Sequence, residues 1–245
     1  MIKLTKGPAP AWLDSKKIEE LTQNFKDNGK SVWHIPELKE ALLKTSFGKC
    51  VFCECTLGEE SKYMEVEHFK YKDKYDDDVM KWENLLPACR RCNGQKRSHD
   101  VVLDPIVNPY EDEPSVNFSL KNYRLKYKTP KGKESIEVLD LNNSSRVVLS
   151  RFRIGEQLQE ALLIACERLK TFKENPRTAS RNRFLSIFEN LLKEAQPEAA
   201  YAATTATLLH EDEAYTELVL EAKSLNIWTE ELEALHSASM TLALR

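Results

Sequence analysis

Two C-x2-C pairs, Cys50–Cys53 and Cys89–Cys92, stand 35 residues apart in a chain of 245. Each pair can present two thiolates to one ion from a single tight turn. Four thiolates favour tetrahedral zinc by softness and geometry. Such a Zn2+ site is structural, because four sulfurs leave no open position for water or substrate. A redox dithiol, an isolated zinc ribbon and an iron–sulfur cluster are the alternatives. Six cysteines are too few for a disulfide scaffold of this length, so the pairs imply metal binding in a reducing compartment. Cys55 lies close enough to compete as a ligand but lacks the standard spacing. Cys166, in EALLIACERL, reads as a buried apolar residue.

Any chemistry must then come from what the staple encloses. The enclosed segment contains EVEHF, with Glu65, Glu67 and His68. On an extended strand Glu65 and Glu67 share a face, and His68 points the other way. Glu67 and His68 can serve one site only if the strand ends or bends there. Histidine suits a general base because its ordinary pKa lies near neutrality, and a hard divalent ion takes carboxylate and amide oxygens. Asn84, in WENLLPACRRCNGQK, and Asn93, directly after Cys92, complete an ordered set that ends at Lys96.

Over residues 50–96 the chain resembles the HNH endonuclease superfamily in its zinc-stapled bacterial form. The resemblance rests on C-x2-C, acid–His, Asn–Leu, C-x2-C–Asn and Lys, in that order. It implies a ββα-metal fold and phosphodiester hydrolysis. Glu67 matches the acid that binds the catalytic Mg2+ or Mn2+, His68 the general base, and Asn84 the residue that holds the histidine-bearing loop. Asn93 matches the second ligand to the catalytic ion. Glu65 matches a position that supports the ion's water shell, and Lys96 a basic position near substrate phosphate. Many relatives have Asp where this chain has Glu67, which puts the strength of activity and the metal preference in doubt. Arg90, Arg91 and Arg97 flank the second pair as candidate phosphate contacts.

The remaining sequence reads as mainly helical, giving an α+β chain: a zinc-stapled ββα-metal unit, a small β-hairpin and a C-terminal helical region. Helices are expected over 14–28, stopped by Asn28–Gly29, and over 36–45, opened by Pro36. The motif core spans 47–100, and a proline-rich strap follows over 104–114. FSLKNYRLKYKT and SIEVLDL alternate in polarity, so a hairpin is expected with PKGK as its turn. A helical period runs over 147–173, with Gly155 as an expected break. A helix after Asn175–Pro176 ends by Pro197, and two or three shorter ones complete the chain. Trp12, Trp33, Trp82 and Trp228 are expected in cores or interfaces. The expected division is 1–112, holding the nuclease unit, and 113–245, holding the hairpin and a partner-binding helical region.

A net charge of −3 conceals a gradient: residues 121–193 carry 16 basic and 8 acidic side chains, whereas residues 194–245 carry 2 and 10. The central segment, with Arg146, Arg151, Arg153, Arg177, Arg181 and Arg183, suits phosphate or an acidic protein, and the tail does not suit nucleic acid. No run is apolar enough to cross a bilayer, and the N-terminal stretch lacks the pattern of a signal peptide; a cytoplasmic location is expected, with no membrane partner. From DPIVNPY to DLNNSSRVVLSRFR the arrangement is similar to the HNH component of Septu-type and related retron anti-phage systems. That resemblance implies DNA, or RNA, as target and an ABC/SMC-like ATPase held through the helical tail. In a retron setting it also implies a reverse transcriptase with its multicopy single-stranded DNA. The alternatives are a zinc-stabilised adaptor without catalysis and a stand-alone restriction-type nuclease.

Overall fold

The computed structural model describes residues 1–58 and 63–245. In chain order it contains α1 (Ser15–Asn28), α2 (Pro36–Thr45), β1 (Met64–His68), β2 (Leu85–Cys89) and α3 (Arg90–Lys96). The short α4 (Pro114–Asn117) follows, then β3 (Phe118–Lys121), β4 (Arg124–Tyr127) and α5 (Pro130–Val138). The rest is helical: α6 (Leu149–Glu174), α7 (Thr178–Lys193), α8 (Ala202–Glu211), α9 (Glu213–Ser224) and α10 (Glu230–Leu242). The chain divides into two compact units, residues 1–118 with 125–142, and residues 119–124 with 143–245.

In the first unit, Asp14 caps α1 by accepting from the Lys17 amide, and Gly29 closes it at φ 63°, where a residue without Cβ is unstrained. Pro36 opens α2 in the first turn, where its missing N–H costs nothing. These helices bury Phe25, Leu38 and Leu42 with Trp33, Met80 and Trp82, and that core also takes Val66 of β1 and Leu85 of β2. β1 and β2 pair antiparallel from Met64 opposite Cys89 to His68 opposite Leu85. α3 starts at once, with the Cys89 sulfur accepting from the Cys92 amide at its N-terminus. Strand, strand and helix thus form the ββα unit expected from the motif.

The second unit is a helical assembly around Leu158, Leu162 and Leu169 of α6, Phe184 and Phe188 of α7, and Tyr215 of α9. Phe188 stacks on Phe184 at 5.4 Å and on Tyr215 at 5.6 Å, within the range where aromatic pairs contribute beyond burial. Among the described residues, no helix is long and apolar enough to cross a membrane.

Four local expectations are corrected. The second hairpin turns at Asn122–Tyr123, both at positive φ, 51° and 61°, the backbone of a two-residue turn that matches strand twist. PKGK opens α5 instead: Thr129 caps it by accepting from the Gly132 amide at 3.0 Å, and Pro130 sits in the first turn. α6 runs unbroken through Gly155, whose missing Cβ makes room for the Tyr123 ring; an added Cβ would lie 2.5 Å from Tyr123 Cε1. Arg151 is buried at 3% exposure and donates to the Tyr123 carbonyl at 3.4 Å, so it is no part of a surface basic stripe. Cys166 is only partly buried, packed at the edge of the helical core.

Candidate active site

The staple comes first. The sulfurs of Cys50, Cys53, Cys89 and Cys92 lie within 4.8 Å of one another, all buried. Cys53 Sγ and Cys89 Sγ are 3.8 Å apart, matching the roughly 3.8 Å edge of a tetrahedron with 2.3 Å zinc–sulfur arms. The first pair sits on a turn that returns on itself: the Cys50 amide donates to the Cys55 carbonyl at 2.9 Å, and Lys49 bridges Thr56. The Val51 amide donates to the Pro87 carbonyl at 3.1 Å and ties this turn to β2. Burial pushes the Cys50 thiol well above its ordinary value, so thiolates gathered here need a cation to offset their desolvation. Cys55 is buried too but falls outside the four-sulfur set.

The strand alternation then sorts the acids. Glu65 and Glu67 face α3, where Asn93 and Lys96, three residues apart, meet them as two rungs. Asn93 Nδ2 donates to Glu65 Oε2 at 2.7 Å; a carboxylate only accepts, so the amide must present its nitrogen there. Lys96 Nζ pairs with Glu67 Oε1 at 2.6 Å and donates to the His68 carbonyl at 2.9 Å. Lys96 is 1% exposed and Glu67 2%. Lys96 is therefore a buried counter-ion to Glu67, not a surface contact for phosphate. Burial pushes the Glu67 carboxyl up to about 7, with Lys96 acting against the rise.

His68 ends β1 on the opposite face, against the Trp33 ring at 4.5 Å, edge to face. Its Nε2 lies 3.0 Å from the Val79 carbonyl oxygen. A carbonyl can only accept, so Nε2 carries a proton, and in the neutral ring Nδ1 then keeps the lone pair. Burial lowers the imidazole to about 4, against the pull of the Val79 carbonyl, and the ring is neutral at pH 7. Asn84 pins the loop that follows: its Oδ1 accepts from the Lys70 amide at 2.7 Å, and Nδ2 donates to the carbonyls of Lys70 and Asp78 at 3.1 and 3.0 Å. Lys70 in turn pairs with Asp78 at 3.0 Å.

Glu67, His68 and Asn93 line one cavity of about 250 Å3, together with Trp33, Tyr71 and Arg97. The end of β1 at His68 brings two side chains from opposite strand faces to the same opening. Lys96 takes Glu67 Oε1 and Glu65 takes Asn93 Nδ2, which leaves the second carboxylate oxygen and the amide oxygen as the donors these two cavity-lining residues can offer. One carboxylate oxygen and one amide oxygen fit the donor set of Mg2+ or Mn2+, which keep much of their water. Arg97 is exposed at the rim, and Arg90, at the other end of α3, is exposed as well. Arg91 is diverted: its guanidinium donates to the Asp140 carbonyl and, at 3.2 Å, to the Asp140 carboxylate. Trp33 and the Val79 carbonyl were not legible as site groups. Trp33 carries no motif, and a carbonyl acceptor leaves no mark in residue type.

An antiparallel hairpin, a helix and a four-cysteine cluster that ties them define a zinc-stapled ββα-metal, nuclease-like unit. Over 239 residues, 97% of the chain, the sequence is 43% identical to Septu protein PtuB of Bacillus thuringiensis, covering 93% of that protein. It is 26% identical over 172 residues to Septu protein PtuB of Bacillus mycoides strain KBAB4, covering 56% of this chain and 57% of that one. The chain belongs to the Septu PtuB family. No protein-family model matches it.

Proposed function

We propose that the chain is a metal-dependent HNH endonuclease, the DNA-cleaving effector of a Septu-type anti-phage system, held and controlled by an ABC/SMC-like ATPase. The observation that carries this reading is the placement of His68, with its Nε2 3.0 Å from the Val79 carbonyl oxygen, beside Glu67 and Asn93 in one cavity. His68 Nδ1 takes a proton from a water as its oxygen bonds to phosphorus. The bond from phosphorus to the 3′ oxygen breaks, leaving a 5′ phosphate and, once the departing oxygen gains a proton, a 3′ hydroxyl. Glu67 and Asn93 would hold Mg2+ or Mn2+, which supplies stabilisation of the negative charge on the phosphoryl group and the departing oxygen. Asn84 positions the loop, and Arg97 and Arg90 meet neighbouring phosphates.

The likeness to Septu proteins supports a two-protein system over a retron with its reverse transcriptase and multicopy DNA. Exposed Leu163 of α6 and Leu220 of α9, 66% and 63% accessible, support the second unit as the docking platform for the ATPase. Plasmid nicking and RNA cleavage, with Mg2+ and with or without the ATPase, test the reading. His68→Ala should lower cleavage by roughly 10²–10⁴-fold; unchanged metal-dependent cleavage rejects His68 as base. Leu163→Glu with Leu220→Glu should abolish ATPase binding, and full binding rejects the platform.

A second reading, a catalytically silent adaptor, is favoured by one observation, the Lys96 ammonium already seated on Glu67. No cleavage of DNA or RNA in any combination, with ATPase binding intact, selects it.

A further inference from the structure

Lys96 closes α3 at 1% exposure, and the zinc staple makes no use of it. A lysine buried this deeply persists when its charge is paired and its N–H groups are bonded. Here the partners are the Glu67 carboxylate, at 2.6 Å, and the His68 carbonyl, at 2.9 Å. One ammonium thus holds the side chain of one central residue and the backbone of the next.

Resting on the assignment of Glu67 as an ion ligand, we propose that Lys96 is a tethered cation that occupies Glu67 and competes with the divalent ion, so that it sets how tightly the site takes that ion. A carboxylate with one oxygen against an ammonium has less charge to offer an incoming cation. That cation, at the other oxygen, also meets repulsion from the ammonium across a short, poorly screened distance. The helix ends beside Lys96 on strained backbone. Arg97, the next residue, sits at φ 48° and ψ −126°, a backbone conformation that residues bearing a side chain rarely adopt. Arg97 lines the same cavity as Glu67, so the strained end of α3, Lys96 and the carboxylate they flank share one opening.

The test is Mn2+ binding by the zinc-loaded full chain, read by the paramagnetic resonance of free Mn2+. The set is wild type, Lys96→Met and Glu67→Gln. Removing the ammonium should tighten binding by about tenfold or more, and Glu67→Gln should remove it. Unchanged or weaker binding by Lys96→Met overturns the tethered cation and leaves the ion site standing. Absence of binding by both wild type and Lys96→Met overturns the ion site and this inference with it. Should Lys96→Met not fold, lysine-selective acylation of the wild type with mass spectrometry decides: Lys96 should react faster with saturating Mn2+ than without, and equal rates overturn the proposal.

Discussion

Replacing Asn84 by alanine is expected to free the loop after His68 while leaving the zinc staple in place. Asn84 is 6% exposed and makes three side-chain hydrogen bonds, two to the backbone of Lys70 and one to the carbonyl of Asp78. Each such bond contributes about 1 kcal/mol net, so the three together come to about 3 kcal/mol. Lys70 is only half-buried, and water takes over part of what it loses, which brings the expected cost to about 2 kcal/mol. That cost is local, because the backbone bond from the Phe69 amide to the Asn84 carbonyl, at 2.9 Å, survives the substitution. Native-state hydrogen exchange reads it directly: protection of the Lys70 amide should fall about 30-fold, with amides in the middle of α6 unchanged. Asn84→Asp should do no better, since it keeps the acceptor for the Lys70 amide but turns a carboxylate toward two carbonyls. Unchanged Lys70 protection in Asn84→Ala would refute the pinning argument.

Metal analysis should find one zinc per chain, and Cys92→Ser should lose it together with the near-ultraviolet signal of the first unit; full zinc content in that variant contradicts the four-sulfur site. His68 is held near 4 when folded, below its ordinary value of about 6.5, so the unfolded chain binds the extra proton as pH drops. The neutral-ring contribution is thus fully present above about 6.5 and is lost as pH falls toward 4, by about 3 kcal/mol in all. Unfolding of His68→Gln should lack this part of the acid sensitivity, and identical pH profiles count against it. Gly155→Ala gains helix propensity of about 1 kcal/mol but drives a methyl into the Tyr123 ring. The expected balance is a net loss of about 1 kcal/mol, since overpacking costs about 1–3 kcal/mol; a higher midpoint in urea than wild type would show that the ring gives way freely.

The parts of this protein that a reader of the sequence can recover are those encoded over a few residues. A C-x2-C turn is local, so the staple was legible; its spacing implied a long excursion tied at both ends by metal, and the ββα shape of that excursion came from the family resemblance. Asp14 and Gly29 around α1, and Pro36 at the head of α2, are equally local, and those helices lie where they were expected. The second hairpin was misread because its turn residues, Asn122 and Tyr123, lack the glycine that usually marks paired positive φ values. PKGK has the proline and glycine of a turn, but with Thr129 before it the same residues open α5, which also takes in SIEV of the expected second strand.

What the fold alone decided is the electrical character of the site. The order of Glu67, His68 and Lys96 does not say that a strand ends at His68, that Val79 turns its carbonyl to Nε2, or that Trp33 covers the ring. Nor does it say that Lys96 points inward to Glu67 while Arg97 stays at the rim. Each of these depends on burial and on distances between residues far apart in the chain. Residue type names the candidates for acid, base and counter-ion. Desolvation and contact, which exist only after folding, determine which proton and which cation each one holds.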